Sequence, residues 1–161
     1  MSAIASFILI SKSAILGLRD AAVPKKSFFG GSKDVYHNFL KIHGREAAGY
    51  KWSGYLLATL LCYLQEEHQI DLMKSEQDEL STFLTKARGA THFVFTFAHK
   101  NEYLEKLVPA SFSKERLRDY YNKFNEASES EVGKPLLEGI QAIQQSLKQL
   151  DEGSVVIFSI G

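Results

Sequence analysis

The stretch Thr91-His92-Phe93-Val94-Phe95-Thr96-Phe97-Ala98, "THFVFTFA", decides how the rest of the chain is read. Phe93, Phe95 and Phe97 fall at every second position, with His92, Val94 and Thr96 between them. A period of two belongs to a strand, whose successive side chains point to opposite faces. Burying each phenylalanine is worth about 1.5–3 kcal/mol, so the face that carries three of them must meet a core. Two further apolar runs are suited to lie beside it. "AIASFILIS" (residues 3–11) and "SVVIFSI" (154–160) are nearly continuous, rich in β-branched residues and too short for helices, which marks strands buried on both faces.

Helical spacing fills the segments between these strands. A serine-capped helix follows residue 11, runs through Leu18 and is stopped by Pro24. "KKSFFGGSKD" (25–34) reads as a loop. Its Gly30-Gly31-Ser32-Lys33 is an ordinary turn, because a phosphate-binding loop needs four residues between its first glycine and the Gly-Lys-Ser/Thr. Val35, Tyr36, Phe39 and Leu40 share one helical face, with Gly44 as the expected left-handed stop. "GYLLATLLCYLQEE" (54–67) is apolar on nearly all sides from Tyr55 to Leu64, which predicts a central helix capped by Ser53. Later helices are predicted through Leu80–Ala87, stopped by Gly89, around Glu102–Val108, through Leu117–Phe124, and from Pro135 to Leu150. No repeat is evident. The expected fold is α+β: one helix-rich domain over 1–161, with a small central sheet of about three strands (near 3–11, 91–98 and 154–160) covered by helices.

The chain has 161 residues, with 19 basic and 19 acidic side chains and a formal net charge of 0, which argues against a nucleic-acid partner. The charges are unevenly spread: residues 1–51 hold eight Lys/Arg against three Asp/Glu. The single cysteine, Cys62, has no internal partner and sits in the most apolar predicted helix, so a reducing, cytoplasmic setting is expected. The apolar run Tyr55–Leu64 is about half the ~20 residues that a membrane span requires, and no membrane is expected as a partner. "MSAIASFILISKSAILGL" lacks the basic start of a secretion signal and is interrupted by Lys12.

The densest polar stretch is "HGREAAGYKWSG" (43–54), which carries the only tryptophan. Arg45, Tyr50, Lys51 and Trp52 are its candidate ligand- or partner-binding residues. A joint between two helices explains the same residues and is the favoured reading. Among five histidines none forms an HExxH pair or an i, i+4 pair, and no cysteine pair assists, so no metal or cofactor is expected. His43, His92 and His99 lie at the ends of predicted elements and are the candidate acid/base residues of an enzyme. No catalytic motif joins them. The first functional expectation is therefore a small, soluble protein-binding module, immunity-like or regulatory, with a protein as partner. A hydrolase-like or other enzyme that draws histidines from separate elements is the alternative.

Three pieces together resemble the YfbM-like family of uncharacterised bacterial proteins: "SAIASFILISKSAILGL", "YKWSGYLLATLL" and "IQAIQQSLKQLDEGSVVIFSIG". They are similar to that family's first strand and helix, its tryptophan-headed apolar helix, and its terminal helix and strand. Members tend to carry a histidine soon after the tryptophan, where this chain has Ser53, Gly54 and Tyr55. The resemblance implies an α+β fold in a bacterial protein and no particular activity.

Overall fold

The structure, a computed structural model, describes residues 2–161. In chain order its elements are β1 (Ala5–Ser11), α1 (Ile15–Ala22), β2 (Lys25–Lys26), β3 (Ser32–Lys33), α2 (Tyr36–His43), β4 (Gly44–Ala48), α3 (Gly54–His68), α4 (Asp78–Arg88), β5 (Thr91–Phe95), α5 (Phe97–Tyr103), α6 (Lys114–Phe124), α7 (Gly133–Lys148) and β6 (Ser154–Ile160). Four strands form one antiparallel sheet in the order β4-β1-β6-β5, while β2 and β3 make a separate ribbon. The fold is α+β. The first and last long strands pair at its centre, with Phe7 opposite Phe158 and Ile8 opposite Ile157.

Alternation along these strands builds two cores, one on each face of the sheet. On one face Phe7, Phe95 and Phe158 are fully buried beneath α3, α5, α6 and α7. The Phe7 and Phe158 rings stack at 4.6 Å, and Phe95 lies 5.4 Å from Phe158. On the other face Ile10, Val94, Val155 and Ile157 meet Leu18, Tyr36, Leu80 and Leu84 from α1, α2 and α4. That two-sided burial explains why the runs at 3–11 and 154–160 are apolar without strict alternation.

Three details depart from the sequence expectation. Phe97 is not in the strand but opens α5, because extended Thr96 caps that helix: its hydroxyl and the His99 ring exchange bonds with each other's backbone N–H. Two otherwise orphaned donors are thereby satisfied, which ends the strand at Phe95. Gly44 is extended (φ −121°, ψ 175°) rather than left-handed, and it begins a fourth strand that the expected three did not include. "KKSFFGGSKD" is a hairpin rather than a plain loop. Gly89, with φ +69°, is the left-handed stop that was expected.

Side chains blunt both sheet edges. Thr85 Oγ1 accepts the His92 N–H of β5 at 2.9 Å, and the Gln149 amide donates to the Ala47 carbonyl of β4. Among the described residues no helix is long and apolar enough to cross a membrane.

Candidate functional site

α1, α2 and α4 leave one end of their sheet face open, as a cleft of about 700 Å³. Ser6 and Ile8 of β1, Ser159 of β6 and His92 of β5 form its floor, and Leu40 and Lys41 of α2 stand in its wall. Concave sites of this size with a few convergent polar groups are the usual places for ligands.

The wall is fixed by a chain of polar contacts. Asp34 accepts the Tyr36 N–H at 3.0 Å, which starts α2, and Arg88 at the end of α4 holds the same carboxylate at 2.5 Å. Those bonds, first that from Arg88 and then that from the Tyr36 N–H, keep the Asp34 carboxyl below its ordinary 3.8. Arg88 also donates to the Ala22 carbonyl, and its guanidinium lies 4.5 Å above the Tyr36 ring.

Tyr36 is buried and reaches the floor, where its hydroxyl lies 3.3 Å from His92 Nε2. His92 Nδ1 is 2.8 Å from the Ala90 carbonyl, which can only accept. The proton therefore sits on Nδ1, and Nε2 accepts from the tyrosine. Burial pushes the His92 ring below its ordinary 6.5 and the Tyr36 hydroxyl up to about 12, so both are neutral at pH 7. A histidine whose pKa falls on folding contributes stability that is complete above 6.5 and is lost as the pH drops below it. The denaturation midpoint should accordingly fall below pH 6.5, and His92→Gln should make that fall shallower whatever its absolute stability. Parallel pH profiles of the two proteins would contradict the assignment.

Beside this pair, Ser6 Oγ and Ser159 Oγ are 2.7 Å apart across the β1–β6 register. One hydroxyl proton is used between them, leaving the other free for an occupant of the cleft.

The sequence candidates are dispersed. His92 lines the cleft, while His43 is exposed at the end of α2 with its ring 4.3 Å from Phe39. His99 lies buried beneath the opposite face, where Nδ1 accepts the Thr96 N–H and Nε2 donates to the Lys74 carbonyl. Both of its ring nitrogens are thus engaged, one by the cap of α5 and one by the backbone of the α3–α4 loop. Arg45 borders the cleft, but its guanidinium donates to Gln149 at the end of α7. Tyr50 donates to the Pro135 carbonyl at 3.1 Å, and burial raises its pKa. Trp52 Nε1 donates to Glu138 at 2.6 Å, with the Lys51 ammonium 5.1 Å from the indole. The corner from Tyr50 to Trp52 is docked on α7, and Ser53 then caps α3 by accepting from the Tyr55 N–H. Within 43–54, then, the structure shows an edge strand and a joint.

Sequence reasoning missed Tyr36, Ser6, Ser159, Lys41, Glu46 and Arg88. The signal present was the polar break that Ser6 and Ser159 make inside apolar strands, at positions that turn out to be paired.

A second feature stands apart from the cleft. Ser27 accepts the Gly30 N–H at 3.2 Å, closing a turn whose two central residues are Phe28 and Phe29. Gly30 takes φ +85°, which lets the β2–β3 ribbon close. Phe28 and Phe29 are 105% and 98% exposed. Lys25 lies directly opposite Lys33 in the ribbon, and Lys26 stands next to Lys25. Asp20 pairs with Lys25 at 3.1 Å, whereas Lys26 and Lys33 have no ion-pair partner among the described residues.

Among the described residues no three His, Cys, Asp or Glu side chains are grouped to hold a metal ion. Comparison with protein-family models, with curated proteins and with solved structures finds no match to this chain.

Proposed function

We propose that the protein is a protein-binding module, immunity-like or regulatory, that engages its partner through the β2–β3 hairpin. The supporting observation is the pair of wholly exposed phenylalanines at a lysine-flanked tip. Folding gains nothing from leaving two large apolar side chains in water, and exposed apolar groups of this kind mark interaction sites. Asp20 already pairs with Lys25, which leaves Lys26 and Lys33 as the ammonium groups without an ion-pair partner among the described residues. Carboxylates on a partner would pair with these two. The chemistry thus fits a protein that offers an apolar pocket rimmed by Asp and Glu. A formal net charge of 0 favours such a partner over a polyanion such as nucleic acid. The resemblance to the YfbM-like family and the lone cysteine support a bacterial, cytoplasmic setting. An acid/base enzyme finds less support, because His43, His92 and His99 occupy three separate places.

The test is comparative capture from native extract, followed by calorimetry with the purified partner. Phe28→Ser/Phe29→Ser should leave the melting temperature unchanged and weaken binding by about 2 kcal/mol or more, roughly thirtyfold. Lys26→Glu should slow association and reduce its salt dependence. A stoichiometric partner held equally well by the double variant, or binding to anionic vesicles in place of any protein, would contradict the proposal.

A further inference from the structure

The cleft on the sheet carries a chemistry of its own, independent of the hairpin. Most of the charges around it are already engaged. Arg88 is held by Asp34, the Arg45 guanidinium by Gln149, and His92 is bonded at both nitrogens. Lys41 of α2 and Glu46 of β4 remain. Both are exposed, neither has an ion-pair partner among the described residues, and they do not pair with each other. The lining thus offers one free ammonium and one free carboxylate, with the His37 ring of α2 also in its wall. Its apolar part comes from Ile4, Ile8 and Leu40, and the Ser6–Ser159 hydroxyls lie at the floor.

We propose that this cleft binds a small zwitterion, a free α-amino acid with an apolar side chain, through Lys41 and Glu46. The carboxylate meets the Lys41 ammonium, the α-ammonium meets the Glu46 carboxylate, and the side chain lies against Ile8 and Leu40. The free serine hydroxyl proton donates to the second carboxylate oxygen. A plain organic acid would leave Glu46 facing another carboxylate, and a plain amine would leave Lys41 facing another cation. Only a ligand with both charges satisfies both residues. Its size suits a cleft of about 700 Å³, within the range of small-molecule sites.

The test is a titration followed by amide NMR, with L-phenylalanine, phenethylamine and 3-phenylpropionate as probes. L-Phenylalanine should shift the amides of Ser6, Lys41, Glu46 and Ser159 saturably. Each analogue lacks one charge and should bind about tenfold more weakly or worse, the loss expected when a charge-assisted hydrogen bond is removed. Lys41→Gln and Glu46→Gln alter exposed side chains, so the fold should persist while L-phenylalanine affinity drops by a similar factor. The proposal fails if neither L-phenylalanine nor L-leucine shifts these amides saturably. It also fails if either analogue binds as tightly as the amino acid, or if both variants keep full affinity. Phe28→Ser/Phe29→Ser should leave the titration unchanged, which separates this result from that of the hairpin.

Discussion

Phe158→Ala should destabilise the protein by about 3–5 kcal/mol, the range for deleting a large aromatic from a packed core. Phe158 sits at the middle of the sheet, fully buried, with Phe7 opposite it on β1 and Phe93 opposite it on β5. Its ring is stacked on Phe7 at 4.6 Å and lies 5.4 Å from Phe95 and 6.1 Å from Phe93. Removing it forfeits transfer free energy and three aromatic contacts, and it leaves a hole between rings whose backbones are pinned by two ladders. Phe93, only half buried on the edge strand, should cost distinctly less when changed to Ala. Urea denaturation of the two variants measures the contrast. A loss below about 1 kcal/mol for Phe158→Ala, typical of a surface position, would place that ring outside the core.

Gly44→Val should cost about 3 kcal/mol, the upper end of the usual penalty for forcing atoms into a packed interior. The backbone of Gly44 is extended, so valine has no conformational difficulty there. The obstacle is space. A Cβ at this position would stand 2.6 Å from Ile8 Cγ2, 2.9 Å from Ile10 Cγ2 and 2.9 Å from the Leu40 carbonyl oxygen. The carbonyl belongs to the last turn of α2 and cannot move without lifting that helix off β1. Because α2 walls the cleft, this variant should also disturb the amides of Ser6 and Ser159. Thermal melting with and without the substitution gives the size of the effect, and an unchanged melting temperature would mean that β4 does not lie against β1 at this point.

Much of the architecture was legible because burial leaves a strong pattern. Both-faced burial of β1 and β6 made continuous apolar runs, and β5, which meets both cores as well, showed itself by the alternation of Phe93 and Phe95 on one face with His92 and Val94 on the other. β4 was not legible, because "GREAA" has no β-branched or aromatic residue and becomes a strand only by pairing with β1. Phe97 continued a period of two past the true strand end, and only the reciprocal contact between Thr96 and His99 reveals the stop. The density of polar types at 43–54 was visible, yet density does not say where side chains go: Tyr50 and Trp52 turned to α7. The cleft draws on residues from β1, α2, β4, α4, β5 and β6, a convergence that long-range pairing creates and no local spacing announces.

The most direct test of the architecture is a disulfide between Ser6→Cys and Ser159→Cys, with Cys62→Ser in the background. These positions are opposite in the β1–β6 register and floor the cleft. Directly opposed residues on antiparallel strands have Cα atoms about 4.5–5.5 Å apart, within the span a disulfide closes. Mild oxidation should yield an intramolecular bridge in the 6/159 pair and none in a 6/158 control, whose side chains point to opposite faces. Free thiols in the 6/159 protein, or a bridge in the control instead, would show that the first and last strands do not pair as described.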